Sequence, residues 1–277
     1  MSGWMIFPLA VIIGIGMAGM GMSVMHDVAH GSFSNKPWLN QLFGSTIYML
    51  GTSVFNWKVQ HNILHHTFTN IHEVDEDIAG RAFLRFSRHA PLKKVHRFQY
   101  IYAFFFYSLM TIQRIVKDFF SLNEYNKKGI IEQQNTKPAW EYIKLVGTKS
   151  IYLFIAIGLP LLLTDFTWWQ ILLGFVIMHC TGGFIMAMVF QLAHLVEGAD
   201  QTQPDQNGNM ENEWAIHQLA TTSNFSRNSG FITWFAGGLN FQIEHHLFPH
   251  ICHIHYKKIS KIVERTASEF GLLYEVV

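Results

Sequence analysis

Charged side chains are scarce in this chain. Asp, Glu, Lys and Arg together make up 14% of its 277 residues, whereas a soluble globular domain has about 25%. The net charge of +1 gives no broad electrostatic signal for a nucleic-acid partner. The composition instead favours a protein that buries much of its surface in lipid.

Cysteine and linker sequences are also nearly absent. Cys180 and Cys252 stand in unrelated contexts and form no CxxC motif, which argues against a disulfide framework or a thiolate metal site. No Gly/Ser-rich or Pro-rich stretch divides the chain, and no internal repeat is visible. We therefore expect a single domain over residues 1–277.

Three apolar stretches could cross a bilayer, for which a helix needs about 20 residues. They run over residues 4–25, 150–164 and 167–193, and only Asp165 and Phe166 separate the last two. The first stretch is also rich in glycine, which suits close helix packing. The sequence thus predicts one membrane-crossing helix, followed later by a transmembrane hairpin.

Histidine is unusually abundant, with 16 residues against 20 for Lys and Arg together. Seven of the histidines form three short clusters: His26-Asp-Val-Ala-His30, His61-Asn-Ile-Leu-His65-His66, and Gln242-Ile-Glu-His245-His246. A spacing of four residues in the first two clusters places the paired side chains on one face of a helix. So many imidazoles projecting together predict a site for more than one metal ion.

An eighth histidine, His194, ends the third apolar stretch, where a polar side chain is costly unless it has a partner. A single zinc ion takes about three or four ligands, so eight imidazoles suit two metal ions with positions left open for a small molecule. Neutral imidazole binds Fe, Zn, Cu and Ni, so the histidines alone do not name the metal. A nitrogen-rich pair with open positions fits iron that activates O2.

Polar side chains beside the clusters are candidates to orient the imidazoles. Asp27, Glu244 and the Asp75-Glu76-Asp77 run could each accept an imidazole N–H, although a solvated acidic loop is the alternative, which we prefer for Glu76. Gln242 stands where a histidine could have stood, and its amide could ligate weakly or orient a neighbour. The isolated histidines are interpreted as surface or hydrogen-bonded residues: His89, His96, His217 and His253.

Basic residues predict one side of the membrane for all three clusters. If an apolar stretch at 39–55 crossed the bilayer, it would separate the first two clusters, so we expect it to be interfacial, like the aromatic stretch at 98–110. Lys and Arg concentrate at 93–149 and 257–265 but are missing from the turn near Asp165. The positive-inside rule then places the clusters on the cytoplasmic face.

The clusters and their flanking residues resemble the three histidine boxes of the membrane fatty acid desaturases. The matching segments are His26-Asp-Val-Ala-His30-Gly-Ser-Phe-Ser, His61-x-x-x-His65-His66-Thr-x-Thr-Asn70 and Gly237-Gly-Leu-Asn-Phe-Gln242-Ile-Glu-His-His246-Leu-Phe-Pro249. The glutamine that opens the third box is similar to the front-end branch, which includes linoleoyl-CoA (Δ6) and Δ5 desaturases. The resemblance runs from about residue 10 to residue 260.

This resemblance implies an all-α integral membrane fold, in which transmembrane helices lie beneath a cytoplasmic helical cap. The cap would hold a di-iron site at the mouth of an acyl tunnel. The implied iron ligands are His26, His30, His61, His65, His66, His194, His245 and His246. Trp57 matches an aromatic residue that shapes the substrate channel, and Arg81, Arg85 and Arg88 are either headgroup ligands or plain surface charges.

The implied reaction consumes O2 and two electrons and leaves a cis double bond in a fatty acyl chain, carried as a CoA thioester or in a lipid. The cofactor would be two iron ions. The chain has neither a His-Pro-Gly-Gly haem motif nor a cysteine cluster for an iron–sulfur centre. We therefore expect a separate electron donor of the ferredoxin or cytochrome b5 type. Because no targeting signal is visible, we also expect a multi-pass protein of a bacterial inner membrane.

Two features depart from the family pattern. Relatives have two membrane helices before the first box and this chain has one, so we expect it to be N-terminally short. Relatives of the stearoyl branch have an asparagine four residues before the additional histidine, where this chain has Phe190. Three alternatives stay open: a fatty-acid or sphingolipid hydroxylase or carotenoid oxygenase on the same scaffold, a histidine-rich membrane metal carrier, and a truncated, inactive paralogue.

Overall fold

The computed structural model describes residues 3–78 and 83–277. In these ranges the chain is helical and has no strand, apart from an isolated parallel bridge between Asn224 and Val276. The predicted all-α class is therefore confirmed. The chain forms two compact units. Unit 1 comprises Met1–Gly21, Gly44–Trp57 and Phe105–Ala187, and unit 2 comprises Met22–Phe43, Lys58–Phe104 and Met188–Val277.

The α-helices of the described residues are α1 (Ile6–Met20), α2 (His26–His30), α3 (Pro37–Gly44), α4 (Val54–Trp57), α5 (Gln99–Ser108), α6 (Arg114–Lys127), α7 (Ile130–Gln133), α8 (Pro138–Leu153), α9 (Leu159–Leu163), α10 (Trp168–His194), α11 (Trp214–Thr221), α12 (Gly230–Phe235), α13 (Gln242–Leu247) and α14 (Tyr256–Glu269). Wider π-helical segments occupy Gly21–Met25, Lys58–His65 and Phe154–Gly158, and short 3-10 segments occupy Gly3–Met5, Ser45–Leu50, Lys94–Phe98 and His253–His255.

Three continuous helices among the described residues are long and apolar enough to cross a membrane. They are Gly3–His30, Pro138–Leu163 and Trp168–His194, with mean hydropathies of 2.0, 1.8 and 2.0. The first helix runs on through α2, so it carries the first histidine pair at its C-terminal end. The second begins at Pro138, well before the sequence-based start at residue 150, because polar partners accommodate the charged residues of this part of the helix: Glu141 accepts from Thr136 and Lys144, and Lys149 pairs with Asp118.

The apolar stretch predicted as an interfacial helix at 39–55 is not one helix. Helix α3 ends at Gly44 and a 3-10 segment follows. The chain then turns at Gly51, whose φ of 64° lies in the left-handed region that glycine adopts without steric cost. The second such stretch, at 98–110, forms α5 over Gln99–Ser108.

In unit 1, α1 and α10 approach closely at two glycines. A Cβ on Gly14 would lie 2.5 Å from the carbonyl oxygen of Met178, and one on Gly182 would lie 3.1 Å from the carbonyl oxygen of Gly14. Small residues at a crossing let two membrane helices pack backbone against backbone. Gly16, by contrast, has open space where its Cβ would be.

A buried ion pair ties α6 to α8 in unit 1. Lys149 Nζ lies 2.7 Å from Asp118 Oδ2 and also donates to the carbonyl oxygens of Gly51 and Arg114. The same carboxylate oxygen accepts the backbone N–H of Ser53 at 2.7 Å. These bonds compensate the cost of burying two charges, and they fix the turn that precedes α4.

Unit 1 also contains an apolar cavity of ≈ 1180 Å³. Its walls come from α1, from α8 with the segment that continues it to Thr164, and from α10. Tyr48, Thr148, Tyr152 and Thr164 are the hydroxyl-bearing residues of a lining that is otherwise apolar.

Unit 2 has a small apolar core where α11, α13 and α14 meet. Leu219, Ile243 and Val263 are buried at its centre, and the partly buried side chains packed on it are Leu247, Ile259, Leu272 and Tyr274. Because Ile243 lies within the third histidine cluster, this core fixes the position of α13.

Candidate metal centre

Four segments of unit 2 bring the predicted histidines together. Helix α2 carries the first pair, whose ring centroids lie 4.8 Å apart. The π-helical segment Lys58–His65 carries the second pair, with ring centroids 5.3 Å apart. Both spacings agree with side chains on one helix face. π-Helical turns recur at functional sites, and nothing in the sequence predicted this one.

All eight predicted histidines lie in one cluster. The ligand atoms within each of three groups lie within 4.8 Å of one another: His26, His30, His61 and His245; His65, His194 and His246; and His66, His245 and His246. The first two groups share no residue, so the cluster offers two separate sets of nitrogen ligands.

The distance between two imidazole nitrogens in the first group matches ligands of one ion. Nε2 of His26 lies 3.0 Å from Nε2 of His61. Two nitrogens this close can either share a hydrogen bond or bind the same ion.

Three histidines of the cluster share one pattern of hydrogen bonding. Nδ1 of His65 lies 2.9 Å from a carboxylate oxygen of Asp75. Nδ1 of His246 lies 2.8 Å from the side-chain oxygen of Gln218, and Nδ1 of His245 lies 3.2 Å from the hydroxyl of Tyr256. In each ring Nδ1 faces a group that can accept an N–H hydrogen bond, so a neutral ring favours the tautomer with its proton on Nδ1, and Nε2 is then the nitrogen available to a metal ion.

The Nε2 atoms of these three rings are buried, and no described residue offers them a hydrogen bond. The same holds for both ring nitrogens of His66 and for Nδ1 of His194. A buried polar atom without a partner is costly. Metal-bound histidines donate their second N–H to a carboxylate, a carbonyl or water, so the residues present fit a metal ion.

Electrostatics keep most of these rings neutral. Burial lowers the pKa of His66, His245 and His246 well below the ordinary value, and neighbouring imidazoles lower it further. Neutral imidazole is the form that binds metals. For His65, burial also lowers the pKa, but the Asp75 carboxylate outweighs it and raises the pKa above its usual value.

Asp75 also organises the loop that follows the second cluster. Its Oδ2 accepts the backbone N–H of Asn70 at 3.0 Å, and its Oδ1 accepts that of Asp77 at 2.9 Å. Asp77, the other predicted acceptor, is farther away, with its Oδ2 3.8 Å from Nδ1 of His65. Gln60 donates to the second oxygen of Asp77, so Asp75 is the direct partner of His65.

Gln242 contacts His194, with its side-chain nitrogen 2.9 Å from Nε2 of that ring. The two ends of the amide have the same shape, so a half-turn about its axis places the oxygen there to accept the N–H of His194. The ring of Phe190, the residue that departs from the stearoyl pattern, lies 4.8 Å from the ring of His194 and 5.6 Å from that of His65.

Two predicted acceptors make contacts outside the cluster. Asp27 accepts from Nδ1 of His253 at 2.6 Å and from the thiol of Cys252 at 3.1 Å. Glu244 accepts from the side-chain nitrogen of Asn224 and from the hydroxyl of Tyr274, both at 2.8 Å. Neither carboxylate therefore orients a histidine of the cluster through these bonds.

The remaining predicted residues lie elsewhere. Trp57 is half-buried at the end of α4 and does not line the cavity of unit 1. Arg85 donates to the carbonyl oxygen of Ala90 at 2.8 Å, and Arg88 donates to that of Gln201 at 3.2 Å. Both arginines thus hold loop backbone in place. Arg81 lies outside the described residues.

Several residues of the site had not been predicted. Gln218 lies on α11, before the third histidine cluster in the sequence, and Tyr256 lies on α14, after it. Both are far in sequence from the first two clusters. Asn70, inside the second box, is fully buried, and its side chain donates to the backbone oxygens of His194 and Thr221 at 2.9 and 3.1 Å. Position within the box was the one available signal for Asn70, and Gln218 and Tyr256 had none.

Helical architecture, three helices of membrane-spanning length and a buried histidine cluster together define an integral membrane protein whose clustered side chains could hold metal ions. The chain belongs to the fatty acid desaturase family, because the family model described as fatty acid desaturase matches residues 2–277. It is therefore an oxidoreductase of unsaturated fatty acid biosynthesis, as the box resemblance implied.

Similar proteins carry desaturase names along most of this chain. An sn-1 linoleoyl-lipid 6-desaturase of Arthrospira platensis is 35% identical over 274 residues, which cover 99% of this chain and 73% of the relative. The sn-1 linoleoyl-lipid 6-desaturase of Synechocystis sp. is 36% identical over 278 residues, covering 98% and 76%. An acyl-lipid (8-3)-desaturase of Physcomitrium patens is 33% identical over 267 residues, covering 96% and 55%.

Proposed function

We propose that this chain is a front-end acyl-lipid desaturase whose eight clustered histidines hold two iron ions. The observation that carries the proposal is the shared pattern of His65, His245 and His246. In each ring Nδ1 contacts a hydrogen-bond acceptor held by another element, and Nε2 is buried without a hydrogen-bond partner. Rings held in this way are oriented before a metal ion arrives.

The two separate groups suggest how the ligands divide. His26, His30, His61 and His245 would hold one ion. His65, His194 and His246 would hold the other, and His66 lies within reach of ligand atoms from both groups. When bound, iron would supply the activation of O2 and the abstraction of hydrogen from an unactivated C–H bond.

The reaction balances as one acyl –CH2–CH2– unit, O2, two electrons and two protons giving one cis –CH=CH– unit and two waters. Two hydrogens leave the substrate, and all four electrons that reduce O2 are accounted for. The contribution of the chain itself is positioning. Asp75, Gln218 and Tyr256 hold the ring orientations, Gln242 orients His194, and burial of the cluster restricts water.

The substrate assignment follows the relatives. Two of them are named sn-1 linoleoyl-lipid 6-desaturases, and the glutamine of the third box agrees with the front-end branch. We therefore propose an acyl lipid as substrate, with the double bond introduced between an existing one and the carboxyl end. The cavity of unit 1 suits a fatty acyl chain, since its lining is almost wholly apolar, as the linings of ligand cavities mostly are.

The positions of Lys and Arg support a cytoplasmic histidine cluster, and we propose that the membrane is the inner membrane of a bacterium. Neither haem nor iron–sulfur motifs occur in the sequence. We propose that two electrons come from a separate donor of the ferredoxin or cytochrome b5 type.

Fatty-acid profiling by gas chromatography–mass spectrometry tests this function in a host fed linoleate. The wild-type chain should give a product two mass units lighter than linoleate, and the His245→Ala variant should give none. His89→Ala serves as the matched control, because His89 is exposed and outside the cluster, and it should keep wild-type product. A product sixteen mass units heavier would instead support hydroxylation.

A further inference from the structure

Helix α14 has a buried face and an exposed face with different chemistry. The buried residues recur at helical spacing and are Tyr256, Ser260, Val263 and Ala267. The exposed side of the same helix, together with the residue two positions before it, is called the cationic face here and consists of Ile254, Lys258, Lys261, Ile262 and Arg265. Lys258, Lys261, Ile262 and Arg265 lie within an arc of about 100° on α14, which also includes Glu269, and Ile254 lies in the 3-10 segment just before the helix.

Positive charge is concentrated on this helix. It has four cationic and two acidic side chains, a net charge of +2, whereas the whole chain has a net charge of +1. Both acids are engaged, since Glu264 lies 2.8 Å from Arg227 and Glu269 lies 3.7 Å from Arg265. Lys258 and Lys261 form no ion pair with any described residue.

Apolar side chains lie among these lysines. Ile254 is 67% exposed and Ile262 is 56% exposed. An exposed apolar residue alone needs no explanation. Two isoleucines among cations on one helix face, however, resemble a small protein interface with an apolar centre and a charged rim.

The opposite face of α14 reaches the metal centre. The hydroxyl of Tyr256 lies 3.2 Å from Nδ1 of His245. Just before the helix, Nδ1 of His253 lies 2.6 Å from the carboxylate of Asp27, the neighbour of His26 in sequence. One helix, about 10–12 Å across with its side chains, therefore separates the cationic face from the clustered histidines.

We propose that the cationic face is where a small acidic electron-carrier protein docks to reduce the metal centre. This inference rests on the proposed function, because a desaturase needs two electrons for each double bond and the proposed donor of those electrons is a separate carrier protein. Opposite charge on two proteins steers their encounter and raises the association rate by about 10- to 1,000-fold. Weak electron-transfer complexes bury little area, which fits a surface of one helix.

The test compares reduction of the same protein by a carrier protein, which has to dock, with reduction by a small molecule, which does not. The full chain, loaded with iron, is placed in nanodiscs of zwitterionic phosphatidylcholine, so that no anionic lipid can bind the lysines. The probe is a reduced plant-type [2Fe–2S] ferredoxin, whose oxidation by the desaturase in the presence of O2 and acyl lipid is followed by stopped flow. Dithionite with methyl viologen is the second arm, because a small reductant needs no docking surface.

The variant is Lys258→Glu/Lys261→Glu, with Lys258→Arg/Lys261→Arg as the charge-conserving control. At low ionic strength, we expect the glutamate variant to oxidise ferredoxin at least tenfold more slowly than wild type and to bind it correspondingly weakly. The arginine variant should stay within twofold. In the dithionite arm, desaturation by all three proteins should agree within twofold.

Other outcomes overturn the docking site. The docking site is refuted if the glutamate variant oxidises ferredoxin as fast as wild type. It is also refuted if the variant loses activity equally with ferredoxin and with dithionite, because that result would indicate damage to the metal centre itself. An effect that appears only in nanodiscs containing anionic phosphatidylglycerol would assign the lysines to the membrane surface instead. Absence of product from wild type in the dithionite arm would refute the proposed function, while ferredoxin binding would still test docking.

Discussion

Asp75 offers a sharp perturbation of the metal centre that leaves the ligands themselves in place. The carboxylate accepts the N–H of His65 at 2.9 Å with both side chains fully buried, and it raises the pKa of that ring. The Asp75→Asn substitution keeps the size of the side chain and removes its charge. His65 then loses its orienting anion and becomes a weaker ligand.

The expected loss is a 10- to 100-fold fall in metal affinity, the usual effect of removing such an outer partner, or about 1.4–2.7 kcal/mol at one ion. The assay is competition between the purified protein and a chelator for ferrous iron under anaerobic conditions. Asp205→Asn is the matched control, since Asp205 also accepts backbone N–H bonds in a loop but contacts no histidine.

Asp75 also receives two backbone N–H bonds, so a loss of loop structure has to be separated from a loss of metal binding. Thermal unfolding of the metal-free proteins makes this separation. The reasoning would be refuted if Asp75→Asn bound iron within twofold of wild type, or if its metal-free form had already unfolded at the assay temperature.

Three further predictions concern the scaffold. Lys149→Met should destabilise unit 1 by about 3–5 kcal/mol, because Asp118 is left buried without its partner, and the double variant Lys149→Met/Asp118→Leu should recover most of that loss in thermal unfolding. Gly14→Ala should lower the stability by about 1–3 kcal/mol, since the new methyl group overlaps a backbone carbonyl of α10, whereas Gly16→Ala, with open space around it, should not. Tyr274→Phe should cost about 1–2 kcal/mol by removing a hydrogen bond to the buried carboxylate of the third box, and chemical denaturation of the wild type and the variant would show no difference if that bond contributed nothing.

The histidines of the site could be predicted because their signal is local. A spacing of four residues, as in His26 and His30, places two rings on one helix face whatever the rest of the fold does. Asp75 was within reach for the same reason, since it follows the second cluster closely. Choosing it over Asp77 required the loop geometry, in which the backbone N–H of Asn70 turns the carboxylate towards His65.

Other parts of the site depend on contacts that are distant in sequence. Gln218 reaches His246 only because α11 and α13 share the apolar core of unit 2. The early start of the second membrane-length helix is a similar case. In a hydropathy profile Lys149 marks the start of the apolar stretch. Its partner Asp118 belongs to another helix, so nothing in the neighbouring sequence indicated the ion pair that allows Lys149 to be buried.

The amount and identity of bound metal test the central claim most directly. Inductively coupled plasma mass spectrometry should find two iron atoms per chain in protein purified from iron-supplied cells, and the His65→Ala/His246→Ala variant should keep at most one. A single metal ion per wild-type chain, or zinc in place of iron, would contradict a di-iron centre built from these eight histidines.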